Sequence, residues 1–135
     1  MVNNISAARP QRGISQASIL FESKVEGGIT RFMAIFEDYT ELEGDVGPVR
    51  SGRDQFLQWA MPMQALYCHI GRSGITQTYI DSFNYNDLAD GSYSRINAHT
   101  VEMGINNFVY LAFNSSSEVF ADKNTSTYSS NFSSM

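Results

Sequence analysis

Two arginines stand three residues apart in the segment GPVRSGRDQF, where an extended stretch gives way to a predicted helix. Arg50 comes two residues after Pro48 and is expected in extended backbone, and Arg53 lies at the predicted start of the helix. Two guanidinium groups in such a place could hold a phosphate or a carboxylate through paired hydrogen bonds. The alternative is that they pair with neighbouring acids, and spacing alone favours it; the candidates are Asp54, Glu37 and Asp38.

The two histidines could act as a general base or bind a metal. His69 follows Cys68, the single cysteine, in a predicted strand. Their side chains should point to opposite faces, so they cannot pair as base and nucleophile, and we expect Cys68 in the core. A structural role is favoured for His69 as well. His69, His99 and a carboxylate such as Glu102 could form a metal site. Nothing in the sequence brings these three together, and we predict no metal and no cofactor.

Acidic residues surround a predicted turn close to a third arginine. Glu22 and Glu26 flank this turn, and Arg31 lies on the strand that follows it. The simplest expectation is a cross-strand ion pair with Arg31. The alternative is that these charges line the same pocket as Arg50 and Arg53.

The first elements that must position these residues form a predicted β-hairpin. Gly27-Gly28 separates two runs of alternating side chains, residues 17–25 and 29–36, and a Gly-Gly step accepts the positive φ of a tight turn. A helix capped by Ser15 could also account for residues 16–25. The hairpin is the preferred interpretation.

The remaining elements alternate between helices and strands. Ser51 is the predicted N-cap of a helix that ends near Pro62, with Asp54 completing a capping box. ALYCHIG predicts a buried strand, Ser73 is expected to cap a helix through GITQTYIDSF, and NNFVYLAF predicts another strand. Residues 1–14 are predicted to be an extended or irregular lead-in, and DYTELEGDVGP and NYNDLADGSYSRINAH are predicted to be loops. The order predicts an α/β or α+β fold, a mixed β-sheet with an N-terminal β-hairpin and two or so helices packed on it.

Composition limits the class of protein. The chain has 135 residues, of which 42% are apolar and 17% charged, which is typical of one globular domain. A net charge of −5 argues against a nucleic-acid binder with a broad basic surface, although it permits a small cationic pocket. The sequence has no apolar run long enough to span a membrane and no signal peptide at its start, so location is left open. We expect residues 1–113 to form one domain, incomplete at its C-terminal end, and residues 114–135 to be a serine-rich flexible tail or a truncated end.

Several motifs occur in an order that resembles the YerB-like family, a bacterial domain of unknown function. The matching segments are Asn3-Asn4, Ala8 to Gln11, Gly13 to Ser18, Val25 to Phe32 and Gly47 to Arg53, with His69 at the position of a strand-end histidine. The resemblance covers about the first 75 residues and fades after Gly71. Two positions depart from the family pattern: Gly52 replaces the usual alanine, and Arg12 stands where a small residue is usual.

The resemblance implies an extracytoplasmic, membrane-anchored setting, because many relatives look like lipoproteins, and it supplies no reaction. The first hypothesis is a non-enzymatic module that binds an anionic small molecule or cell-wall component, and it involves Arg50, Arg53, Arg31 and His69, supported by Asn3, Asn4, Arg9, Glu22 and Glu26. The second is a structural or assembly domain, partnered by a C-terminal domain or by another copy of itself. The third is a hydrolase in which His69 is the general base and the arginines stabilise developing negative charge.

Overall fold

The computed structural model describes residues 1–85, 87–89, 98–103 and 108–113, and for residues 98–103, 112 and 113 only the backbone. The helices are α1 (Asp54–Ala60) and α2 (Gly74–Phe83). The strands are β1 (Val2–Asn3), β2 (Ile19–Lys24), β3 (Thr30–Ile35), β4 (Gly44–Val49), β5 (Tyr67–Cys68), β6 (Asp87–Leu88), β7 (Ala98–Met103) and β8 (Val109–Phe113). The segment 114–135, predicted as a tail, lies outside the described residues.

The strands form a large antiparallel sheet and a small parallel one. The large sheet has the order β2-β3-β1-β4-β8-β7, and β5 pairs with β6 in the second sheet. Parallel and antiparallel pairing are therefore separated onto two sheets, and the fold is α+β, as expected. In the described part of the chain, no helix is long and apolar enough to cross a membrane.

The β2–β3 hairpin confirms the prediction made from Gly27-Gly28. Its register pairs Phe21 with Met33 and Ser23 with Arg31. Gly27 and Gly28 both have φ near +70°, a conformation that glycine adopts without strain. On β3 the alternation places Arg31, Met33 and Ile35 on the buried face.

The prediction of a loop was wrong for two segments, and the lead-in, predicted to be extended or irregular, contains an extended strand. The lead-in contains β1, which pairs with both β3 and β4. The acidic segment contributes β4, and the third segment contains β6 and the start of β7. Gly47 and Pro48 are typical of a loop, so the sequence did not predict β4. Both residues lie where the β4–β8 register shifts between Val46 and Val49. A proline is tolerated in a sheet at such an irregularity.

The two helix starts differ from each other. Ser73 caps α2 as predicted, since its Oγ accepts from the Thr76 amide at 3.2 Å. The prediction for Ser51 was wrong: α1 begins at Asp54 after an extended Arg53 that provides no side-chain cap. The backbone of Gly52 bonds to Gly71, with the Gly52 amide donating to the Gly71 carbonyl at 2.9 Å, and this pairing keeps the segment extended past Ser51.

The helices pack on the large sheet through an apolar core. Phe56, Leu57 and Ala60 of α1 and Ile80 of α2 cluster with Met1, Met33, Ile35 and Tyr67. A second cluster joins β4, β6 and β8 through Val49, Leu88 and Leu111. These contacts fix the segment between β4 and α1, which carries Arg50 and Arg53, against β3, which carries Arg31.

Candidate functional site

Three arginines converge where β3 meets the segment between β4 and α1; we call Arg31, Arg50 and Arg53 the basic corner. Arg31 comes from β3 and points towards that segment, because its Nη1 donates to the Ser51 carbonyl at 2.6 Å. The charges of Arg53 and Arg50 both act on Arg31. The structure therefore brings together three of the predicted anion-binding residues.

Arg31 is a buried cation with few acceptors. The residue is 5% exposed, and its Nε has no hydrogen-bond partner among the described residues. Burial lowers its pKa first, and the charge of Arg53 lowers it further; Glu26 opposes this shift, whereas Arg50 adds to it. Within the described residues its guanidinium bonds to a carbonyl, and the Glu26 carboxylate acts on it only through its charge.

Arg53 is paired with a carboxylate. Its Nε donates to Glu26 Oε2 at 2.9 Å, its Nη2 donates to Glu26 Oε1, and its Nη1 donates to the Gly52 carbonyl at 2.8 Å. The hydrogen bond from Arg53 lowers the pKa of Glu26 to about 2. The expectation that Glu26 pairs with Arg31 was therefore wrong, because Glu26 lies in the turn after β2 and reaches across to the start of α1.

Arg50 is half-buried and packs against an aromatic ring. Its guanidinium carbon lies 5.6 Å from the centre of the Phe108 ring. Its backbone is fixed, since its amide donates to the Met1 carbonyl at 3.0 Å and its carbonyl accepts from Ile70 at 3.1 Å. Within the described part of the chain, its side chain forms no ion pair.

Asn3 lies beside Arg31 on the neighbouring strand. The two residues are directly opposite each other in the β1–β3 pairing, so their side chains share one face of the sheet. Asn3 is 1% exposed, and its Oδ1 accepts from the Ile5 amide at 3.4 Å. Its Nδ2 has no acceptor among the described residues. Two buried donors with no partner there, Asn3 Nδ2 and Arg31 Nε, thus occur on adjacent residues of one sheet face.

Asn4 belongs to a separate network on the other side of β1. Its Nδ2 donates to Glu22 Oε1 at 2.9 Å and to Thr30 Oγ1 at 2.8 Å. Its Oδ1 accepts from Arg9 Nε at 3.2 Å and from Gln11 Nε2 at 2.8 Å. The expected Glu22–Arg31 pair was wrong, because Glu22 lies on the opposite face from Arg31. Arg9, Asn4 and Glu22 tie the N-terminal segment to the hairpin, and they do not cover the basic corner.

His69 is enclosed and fully bonded. The residue is 0% exposed, with Nδ1 2.7 Å from the Gly71 carbonyl and Nε2 2.6 Å from Asp87 Oδ2. Burial acts to raise the pKa of Asp87, but the hydrogen bond and charge of His69 outweigh it and the pKa is lowered. This imidazole joins β5 to β6, and it does not face solvent as a general base would need to. Sequence reasoning missed Asp87, which lay in a segment predicted as a loop.

The remaining candidate groups are not arranged for chemistry in the described part of the chain. Burial raises the pKa of Cys68 to about 11, so its thiol is unreactive at neutral pH. The side chains of His99 and Glu102 lie outside the described ones. Among the residues that the structure describes, no group of three His, Cys, Asp or Glu side chains could hold a metal ion.

Comparisons with known proteins agree with the resemblance seen in the motifs. The Bacillus subtilis (strain 168) protein "Putative lipoprotein YerB" is 40% identical over 82 residues, which are 61% of this chain and 24% of that protein. A crystal structure of YerB from Bacillus subtilis matches with a TM-score of 0.67 and 31% identity, over 83% of this chain and 38% of that chain. This chain therefore spans well under half the length of the relatives it matches.

The match to the family is wider than the motifs alone suggested. The family described as "Protein of unknown function (DUF3048) N-terminal domain" matches residues 1–128, which include segments beyond Gly71 where the motifs fade. The chain belongs to the DUF3048 family, through the N-terminal domain of that family.

Proposed function

We propose that this chain is a non-enzymatic module that binds the anionic group of a small molecule or cell-envelope component at the basic corner. The observation that carries this proposal is the environment of Arg31, a buried cation whose Nε has no acceptor in the described part of the chain. A bound anion would offset the cost of burying that charge. An extracytoplasmic setting is proposed from the lipoprotein name of the relative.

The charge balance of the basic corner supports an added anion. Arg31, Arg50 and Arg53 contribute three positive charges, whereas Glu26 is the one carboxylate that bonds to any of them within the described residues. In this proposal Arg31 and Arg50 contact the ligand, and Arg53 holds the turn in place through Glu26. His69 joins β5 to β6 through its bond to Asp87, and in this proposal it takes no part in binding.

The test is a titration of the chain with three probes: sodium acetate, inorganic phosphate and soluble peptidoglycan fragments, at constant ionic strength. We expect at least one probe to bind the wild-type chain by calorimetry, and Arg50→Gln to weaken that binding about tenfold, since a charge-assisted hydrogen bond contributes ~1.5–3 kcal/mol. The control is Arg12→Gln, which removes an equal charge from an arginine that pairs with Asp45 at 2.9 Å outside the corner. Equal affinities for Arg50→Gln and wild type would overturn the proposal.

A second candidate function, an assembly domain, is favoured by exposed apolar side chains. Ile75 and Phe83 of α2 are 61% and 59% exposed, and Ile19 and Leu20 of β2 are more than 40% exposed. A contiguous apolar patch formed by such side chains would mark a surface for another domain or for a second copy of the chain. Sedimentation equilibrium tests this function: a dimer that Ile75→Ser with Phe83→Ser converts to monomer supports it, and a wild-type monomer at high concentration excludes self-assembly.

A further inference from the structure

We infer that the group bound at the basic corner is a carboxylate, seated on Arg31 Nε and Asn3 Nδ2. This inference rests on the proposed function and names its ligand class. Both donors are buried, both lack an acceptor in the described part of the chain, and they belong to residues directly opposite each other on neighbouring strands. A buried donor without a partner is costly, so a pair of them on one face indicates a shared acceptor.

The number of donors favours a carboxylate over a phosphate. A carboxylate has two oxygens in one plane, and each can accept from one of the two N–H groups. A phosphate has further oxygens that would also require donors, and Arg50 is the one further donor that the proposal assigns to the ligand, because Arg53 is held by Glu26. Solvent cannot supply the rest, since Asn3 is 1% and Arg31 is 5% exposed. The desolvation of a dianion would be more costly than that of a monoanion.

The charge around Arg31 and Asn3 also favours a carboxylate over a phosphate. Arg53 is neutralised by Glu26 through two hydrogen bonds, and Arg50 is only half-buried over Phe108. Of the three arginines of the basic corner, Arg31 is the buried one that bonds to no carboxylate within the described residues, and one negative charge would balance it. A water molecule could satisfy both donors, but it would leave that charge uncompensated. Because the donor atoms are closed to solvent, the ligand enters only when the surrounding structure opens locally.

Two asparagines that are neighbours in sequence allow a matched test. Asn3→Asp places a carboxylate next to Arg31, so we expect it to mimic the ligand, to raise Tm by about 4 °C and to abolish the response to acetate. Asn4→Asp places the same group against Glu22, to which the Asn4 amide now donates at 2.9 Å, so we expect Tm to fall. A fall in Tm for both variants would show that Arg31 has no uncompensated charge, and it would overturn the inference.

The choice of anion separates this inference from the proposed function. With the wild-type chain, we expect acetate to bind at least tenfold more tightly than inorganic phosphate at equal ionic strength, and Asn3→Ala to reduce acetate affinity about tenfold. If phosphate binds more tightly than acetate, or if Asn3→Ala leaves acetate affinity unchanged, the carboxylate seat is wrong while anion binding stands. If neither probe nor the peptidoglycan fragments bind, both proposals fail.

Discussion

At the scale of single residues, arginines of one sequence have three different surroundings. Arg53 bonds to Glu26, Arg12 bonds to Asp45 and lies 4.2 Å from the centre of the Tyr110 ring, and Arg31 bonds to a carbonyl. The interpretation that both Arg50 and Arg53 pair with acids holds for Arg53 and not, within the described residues, for Arg50. It could not name Glu26, which is distant in sequence and approaches through the hairpin turn. The site depends on sheet register, which local patterns do not contain.

The Arg53–Glu26 pair predicts a change in stability at acidic pH. The pKa of Glu26 is lowered to about 2, so the pair stabilises the folded state above pH 4.5 and this contribution disappears as the pH falls from 4.5 through 2. Glu26 is 60% exposed, so we expect only about 0.5–1 kcal/mol. Urea unfolding of the wild type and Glu26→Gln should differ by this amount at pH 6 and coincide near pH 2.

The control for that experiment is Glu41→Gln, which changes an exposed glutamate that forms no ion pair within the described residues. Its free energy of unfolding should follow the wild type across the whole range. If the Glu26→Gln difference persists undiminished near pH 2, the ion pair is not its cause.

His69 predicts a larger loss of stability. His69→Leu would leave Asp87 and the Gly71 carbonyl without the imidazole that bonds to both. We expect the free energy of unfolding to fall by about 3 kcal/mol, because removing one partner of a buried pair leaves the other partner without a hydrogen bond. Asp87→Asn keeps a side-chain acceptor at that position and should cost less. Urea unfolding at pH 7 measures both, and a loss under 1 kcal/mol for His69→Leu would contradict this account.

At the scale of elements, the sequence predicted the turn and the helix cap that depend on hydrogen bonds between residues close in the chain. The Gly27-Gly28 turn and the Ser73 cap were predicted correctly because each depends on residues within one turn of the chain. Ser51 had the same local signal as Ser73, but the bond from the Gly52 amide to the Gly71 carbonyl holds its segment extended. Strand β4 was missed for a related reason, since Gly47 and Pro48 resemble a turn until β1 and β8 pair on either side.

The two serines provide a prediction for helix capping. Ser73→Ala removes the acceptor of the Thr76 amide and should lower the free energy of unfolding by about 1 kcal/mol. Ser51→Ala removes no side-chain hydrogen bond to the residues that the structure describes and should stay within about 0.5 kcal/mol of wild type. Thermal unfolding of both variants is the measurement. Equal losses would mean that Ser51 also acts as a cap in solution.

Gly52 gives a second prediction at this scale. A Cβ at Gly52 would lie 2.9 Å from Tyr67 Cε1, and Tyr67 is 3% exposed and cannot move freely. We expect Gly52→Ala to cost about 1–3 kcal/mol through overpacking. Gly74→Ala is the control, because a Cβ there meets no atom within 4 Å, and it should be neutral or stabilising. A neutral Gly52→Ala would show that the Tyr67 ring adjusts.

At the scale of the whole molecule, the first strand joins the two parts of the large sheet. β1 has only two residues, yet it lies between β3 and β4 and is buried at both positions. A two-residue strand has no periodicity, so the sequence could not predict it, and the α+β class was predicted from the longer elements instead.

This position predicts that the first four residues are essential for folding. Deleting residues 1–4 removes the pairing of β1 with both neighbours, so the hairpin is joined to the rest by packing and by side-chain bonds such as Arg53–Glu26, without strand pairing. We expect the shortened chain to lose its cooperative thermal transition by near-ultraviolet circular dichroism. Asn4→Ala keeps the β1 backbone and should retain a cooperative transition at lower temperature. A sharp transition in the deletion variant would contradict this role for β1.

The same strand order constrains when the protein can fold during synthesis. Val2 pairs with Phe32 and with Val49, and Val49 pairs in turn with Val109. Val2 is therefore translated well before the residues it pairs with, and the sheet cannot be completed until residue 109 has emerged. Until then the nascent chain exposes the unpaired edges of the hairpin, which are the surfaces most prone to aggregation or chaperone capture.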